Sequence, residues 1–165
     1  MSEQKDPLLF AEVAGCVAQK CPDACFIWVG DGEQKENFIT ALKKNHVFDK
    51  TKITGWVDNP CEYIAFFDVA VLFSKWEGFG LCLAEYLALG KPVVATNVGA
   101  VSEIIQDGIC GKLVEHRDPE RIADEILAYR QCKDLKDIKQ ECMRSAEKFD
   151  FKITAQKTVK MIANL

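Results

Sequence analysis

The sequence predicts an α/β fold, a doubly wound parallel Rossmann-like sheet with helices on both faces. Short apolar runs over 24–29, 52–54, 68–73, 92–95 and 112–114 alternate with stretches of helical spacing. Glycine-bearing turns follow several of these runs, at Gly30-Asp31-Gly32, Gly78-Phe79-Gly80 and Val98-Gly99. Turns of this kind connect a parallel strand to the next helix, and open α/β sheets bind ligands at that edge.

The elements follow in order. Residues 6–20 carry Leu9, Val13, Cys16 and Val17 at helical spacing and form the first helix. The strand over 24–29 comes next, then a helix over 33–44 and the strand over 52–54. Asn59-Pro60 opens a short helix, with proline where its missing N–H costs nothing. Val69 to Phe73 are all apolar, as in a strand buried on both faces. A helix over 81–89 takes Ala84, Leu87 and Ala88 as its inward stripe, and Gly90 stops it. After the strand over 92–95, an open turn leads into a helix carrying Glu103. Asp118-Pro119-Glu120 caps a helix that buries Ile122, Ile126 and Leu127. Helices over 135–149 and 153–162 end the chain, with no internal repeat or low-complexity linker.

At 165 residues and 48% apolar content the chain fits one domain with one core, spanning residues 1–165. A net charge of −4 gives no footprint for nucleic acid. No apolar run reaches the ~20 residues of a membrane span, and no signal peptide opens the chain. The lysines from Lys133 to Lys148 are interleaved with Asp134, Asp137, Glu141 and Glu147 and read as a solvated helix face. Eight cysteines form no C-x2-C pair. Cys25, Cys82 and Cys110 lie in or beside apolar segments and read as small core residues. Free thiols point to a reducing compartment, hence a cytoplasmic protein. His46 follows a surface helix and His116 lies in a polar turn, so both read as exposed rather than catalytic. No D-x-D pair occurs, so no metal ligands are expected for a diphosphate, and no cofactor is implied.

The chemistry concentrates between Ser74 and Glu103. Gly78 and Gly80 stand where a strand turns into a helix whose first N–H groups have no internal partners. An anion can rest on those groups, aided by the helix dipole. Glu85 lies just over one turn into that helix, too far in to cap it. A carboxylate there can accept two hydroxyl hydrogen bonds, which suits a ribose diol. Glu77 and Glu85 form an E-x7-E pair, but with 13 glutamates in the chain one such pair is expected by chance. The context gives it meaning: two successive strand-to-glycine-turn units face the same end of one sheet.

The stretch EGFGLCLAEYLALGKPVVATNVGAVSEIIQDGICGKLVEHRDPERIADEI resembles the C-terminal, donor-binding domain of the retaining GT-B glycosyltransferases with an E-x7-E motif, the glycosyl transferases of group 1. Glycogen synthases and bacterial polysaccharide and lipid glycosyltransferases belong to that group. Phe26 to Gly32 resembles the family's second strand with its G-x-G turn, and Ile53 to Val57 its third. The resemblance implies that Glu77 reaches the donor sugar's hydroxyls. It implies that Phe79, Gly80 and Leu81 bring backbone N–H groups to the diphosphate, and that Glu85 holds the ribose. Lys5 is similar to the family's lysine on the diphosphate. Gly30, Trp56 and Val57 fall where the family meets the base. Tyr86 replaces the family's usual alanine, and Gly99-Ala100 its glycine pair. The family's first strand, central in its sheet order 3-2-1-4-5-6 and ending in Gly-Arg, is expected to lie outside this sequence, as is the acceptor-binding domain, which would leave an open or loosely closed slot between the strands over 24–29 and 68–73. The expectation is therefore a glycosyltransferase fragment, inactive alone. It would bind a nucleotide sugar without metal and act on a saccharide or lipid acceptor held by the missing domain, through which any peripheral membrane contact would also run. A non-catalytic nucleotide-sugar module, a subunit of a split enzyme, and an epimerase or phosphorylase are the alternatives.

Overall fold

The computed structural model describes residues 1–115, 117–132 and 135–163. The readings of His116, Lys133 and Asp134 lie outside these residues. The chain begins with a 3-10 turn, Glu3–Lys5, and continues through α1 (Pro7–Lys20), β1 (Phe26–Trp28), α2 (Lys35–Lys44), β2 (Thr51–Ile53) and α3 (Cys61–Ile64). It then alternates β3 (Ala70–Leu72), α4 (Leu81–Ala88), β4 (Val93–Thr96), α5 (Val101–Ile104) and β5 (Gly111–Val114). Helices α6 (Pro119–Gln131), α7 (Leu135–Glu147) and α8 (Phe151–Ala163) follow.

All pairings between these strands are parallel, but they form two sheets. β1 pairs with β2, and β3-β4-β5 form a second ladder centred on β4. No strand is hydrogen-bonded between β1 and β3 among the described residues. This matches the expected order with its central strand lacking and the slot open. A cavity of about 820 Å³ lies there, lined by residues of both strands.

The second sheet is covered on both faces, as its continuous apolar runs require. Val94 and Val114 pack with Ile122 and Ala123 of α6 and with the α1 residues Val13 and Val17. The alternate residues Ala70, Leu72, Val93 and Ala95 pack on Leu83 and Leu87 of α4 and Val101 of α5, where Cys142 of α7 joins them. Val93, Val94 and Ala95 are fully buried, as befits the central strand. Around β1 the packing is aromatic: Phe10 meets Trp28 edge-on at 5.2 Å between ring centres, and Phe38 at 5.8 Å.

The structure corrects some details. The buried stripe of α4 is Leu83 and Leu87, while Ala88 is exposed and Ala84 half-buried. The helix is anchored by its larger side chains, which bury more apolar area than alanine can. Cys25 is exposed, because it stands just before β1 where the chain is still at the surface, whereas Cys110 is buried. Ile122 is fully buried, but Ile126 and Leu127 are only partly so. Asp118 caps α6 as expected, accepting from the N–H groups of Glu120 and Arg121. His46 is exposed in a left-handed turn after α2.

Candidate functional site

The turns after β1, β2, β3 and β4 gather along one edge of the fold. The β3–α4 turn is the centre. Gly80 is the N-cap of α4 with φ 82°, a left-handed conformation that glycine adopts without strain. It lets the chain reverse and turns the first N–H groups of α4 outward. Gly78 is open on every side, with no atom within contact distance of where a side chain would stand. The second glycine turn packs against the first: a Cβ on Gly99, at φ 57°, would overlap the carbonyl of Glu77.

Residues 1–5 are fastened to this turn. Lys75 N donates to Gln4 O at 2.8 Å, Gln4 Nε2 donates to Trp76 O at 2.9 Å, and Lys75 pairs with Glu3. Lys5 is thereby delivered to Glu77, and its Nζ lies 2.5 Å from Glu77 Oε1. The Glu77 side chain is only 5% exposed. The same oxygen accepts from Ser74 Oγ at 2.6 Å. Ser74 is fully buried, and its carbonyl accepts from Thr96 Oγ1 at 2.6 Å. A chain of contacts thus runs Thr96–Ser74–Glu77–Lys5 and fixes a buried carboxylate beside a half-exposed ammonium. Sequence reasoning missed Ser74 and Thr96. The only signal for either is a hydroxyl residue ending an apolar strand run.

The other expected residues are distributed as follows. Glu85 is exposed on α4 and, with Lys5, Gly30 and Trp56, lines the cavity. Trp56 is 85% exposed after β2 and Val57 half-buried. Gly30 bridges Gly55, its N–H donating to Gly55 O at 3.1 Å, which ties the β1 and β2 turns together. Phe79 and Leu81 turn their side chains toward solvent, and the Phe79 ring meets Phe149 edge-on at 5.5 Å between centres. Their backbone remains at the start of α4. Tyr86 lies behind Glu85 with its ring near Phe67, and burial pushes its phenol well above its ordinary range. No helix among the described residues is long and apolar enough to cross a membrane.

A parallel α/β edge with two touching glycine turns, an outward helix start and a paired lysine and glutamate belongs to a recognisable class. Residues 1–131 match the family described as Glycosyl transferases group 1, and the chain belongs to that family. It is 37% identical over 105 residues to N-acetyl-alpha-D-glucosaminyl L-malate synthase of Bacillus anthracis, covering 64% of this chain and 28% of that protein. It is 29% identical over 146 residues to UDP-Gal:alpha-D-GlcNAc-diphosphoundecaprenol alpha-1,3-galactosyltransferase of Escherichia coli, covering 84% and 37%. Among solved structures, S. aureus TarM in complex with UDP superposes with a TM-score of 0.86 at 25% identity, over 99% of this chain and 33% of that one. Anabaena HepE in complex with UDP-glucose gives 0.89 at 22%, over 100% and 47%. The fold is that of GT-B glycosyltransferase structures. The chain spans about a third of the length of the curated relatives it matches.

Proposed function

We propose that this chain is the donor-binding part of a retaining glycosyltransferase. It binds a nucleoside-diphosphate sugar, and the acceptor saccharide or lipid is held by a separate domain. The observation that carries this reading is the delivery of Lys5 onto Glu77, 2.5 Å apart, beside the Gly80 start of α4. The diphosphate would rest on the N–H groups at Gly78, Phe79, Gly80 and Leu81, with Lys5 adding positive charge. Glu85 would hold the ribose diol, and Gly30, Trp56 and Val57 would border the base. Glu77 would reach the sugar's hydroxyls.

The mechanism is electrostatic. As the sugar–phosphate bond breaks, negative charge grows on the leaving diphosphate, where fixed N–H groups, the helix dipole and Lys5 stabilise it. Loss of one such donor typically costs about 2.7–4 kcal/mol. No metal is required for this, because the positive charge comes from the protein. TarM and HepE were solved with UDP or UDP-glucose, which makes UDP the first nucleotide to try.

Calorimetric titration of UDP, GDP and ADP into the chain and its Glu85→Ala variant tests the reading. Loss of the diol contact should weaken the preferred nucleotide by about 1–3 kcal/mol. Affinities for all three nucleotides that are unchanged in the variant would remove Glu85 from the site.

A further inference from the structure

Asp6 has a left-handed backbone, with φ 44°, and among the described residues His46 is the one other non-glycine residue in that region. Aspartate tolerates the region better than most residues, but the conformation is strained and persists where its surroundings hold it. Contacts local to the start of α1 supply part of the hold. The Asp6 N–H donates to Glu3 O at 3.2 Å, its carbonyl accepts from Phe10 N at 3.3 Å, and its Oδ1 accepts from Leu9 N at 3.2 Å, capping the helix. The remaining carboxylate oxygen, Oδ2, accepts from the guanidinium of Arg117, 111 residues away. Arg117 stands just before Asp118, the cap of α6, and α6 shares its core with Val13 and Val17 of α1 through Ile122 and Ala123. The same guanidinium nitrogen donates to Phe73 O at 3.4 Å. Phe73 precedes Ser74, whose hydroxyl holds Glu77. Arg117 therefore touches both arms of the site: the residue after Lys5 and the residue before Ser74.

We infer that Arg117 is a positioning residue for Lys5. It fixes the left-handed backbone of Asp6 against the end of β3, and so sets the direction from which Lys5 meets Glu77. The turn Glu3–Lys5 buries none of its own residues, so polar contacts rather than packing decide where Lys5 stands. Helix α1 is anchored by buried Leu9, Phe10 and Val13. The φ and ψ of Asp6, 44° and 66°, therefore set the angle at which the turn leaves the helix. A return of Asp6 to the right-handed region would swing Lys5 away from Glu77, and small displacements of a charged group cost much in a site of this kind. The Asp6 side chain is only 13% exposed, which shelters its ion pair with Arg117 from solvent. Arginine suits the place because its planar fork meets a carboxylate and a carbonyl together, whereas lysine is a point charge. The inference rests on the proposed donor site for what Lys5 does to a diphosphate, and on these contacts alone for how Lys5 is held.

Two measurements on the whole chain test it. The first needs no nucleotide and follows the nuclear Overhauser contact between the Lys5 ε-methylene and the Glu77 γ-methylene. The contact should be lost in Arg117→Ala and in Asp6→Asn. Asparagine still caps a helix and tolerates the left-handed region, but it presents an amide nitrogen where Arg117 now finds an oxygen. The second measurement is calorimetric titration of UDP. Arg117→Ala should weaken UDP about tenfold, the lower end of what loss of one hydrogen bond to a charged group costs. It should have no further effect when Lys5→Ala is already present. An intact Lys5–Glu77 contact in Arg117→Ala overturns the inference. So does an equal loss of affinity with Lys5 already removed, because Arg117 would then act on the nucleotide or on the fold rather than through Lys5. If UDP affinity is absent or independent of Lys5, the donor-site reading fails and the Lys5–Glu77 contact alone decides this inference. Should Arg117→Ala not fold, Asp6→Asn carries both measurements with the same outcomes.

Discussion

Glu77 is held from two directions, by the Lys5 ammonium and the Ser74 hydroxyl on the same oxygen. Its other oxygen, Oε2, lies 4.0 Å from where a Cβ would stand on Gly80. Two predictions belong to this residue. In the enzyme that carries this chain, Glu77→Gln should lower turnover while leaving nucleoside diphosphate affinity nearly intact, because the proposed contact is to the sugar. Steady-state kinetics beside calorimetry checks it, and an equal loss in both would move Glu77 onto the nucleotide. Ser74 acts through Glu77 as a positioning residue. A hydrogen bond to a charged group contributes about 1.5–3 kcal/mol. Ser74→Ala should therefore reduce kcat by about ten- to a hundredfold with little change in nucleotide affinity, and Ser74→Thr should restore most of it. A Thr variant as poor as the Ala variant would contradict a role for the hydroxyl. The placement of Glu77 in the turn, Gly80 at the helix start and Glu85 on α4 was legible in the sequence because turn chemistry and helix position are local. Ser74 was not, since its significance depends on Lys5, which arrives from 72 residues away from Glu77.

At the scale of elements, the two glycine turns form one unit. Gly99 has φ 57°, and its missing side chain leaves room for the Glu77 carbonyl. Gly99→Ala should be destabilising by more than the roughly 1 kcal/mol of an unfavourable left-handed residue, because the contact adds a steric clash. Urea denaturation measures this directly, and a variant as stable as the parent would show that the turns do not depend on each other. Strand and helix positions were largely legible, since apolar periodicity and caps such as Asp118 are local signals. Which face of α4 is inward was not. Alanine at 84 and 88 fits either a buried or an exposed site, and only packing against β3 and β4 selects Leu83 and Leu87. Cys25 failed for a related reason: adjacency to an apolar run does not say that a residue lies inside it.

At the scale of the molecule, buried acids set the response to alkali. Burial pushes the Cys142 thiol up from 9.0 to about 12 and raises the Tyr86 phenol well above 10.0. The unfolded chain ionises these groups near their ordinary values. Between about pH 9 and 12 it therefore binds fewer protons than the folded chain, so stability present below pH 9 is lost as pH rises. The melting temperature should fall across that window, and Cys142→Ala should reduce the fall. A flat profile to pH 11 would contradict the burial of these groups. The separation into two sheets was legible through a resemblance and the resulting expectation of an open slot, whereas the cavity's size and lining needed coordinates. The central claim is that a nucleoside diphosphate binds along the edge formed by the strand-end turns, without metal. Amide chemical-shift mapping of the chain with UDP in EDTA tests it most directly. The account predicts shifts clustered at Gly30, Trp56, Val57 and Gly78 through Leu81, with the same affinity after magnesium is added. Shifts absent without magnesium, or centred on α8, would contradict it.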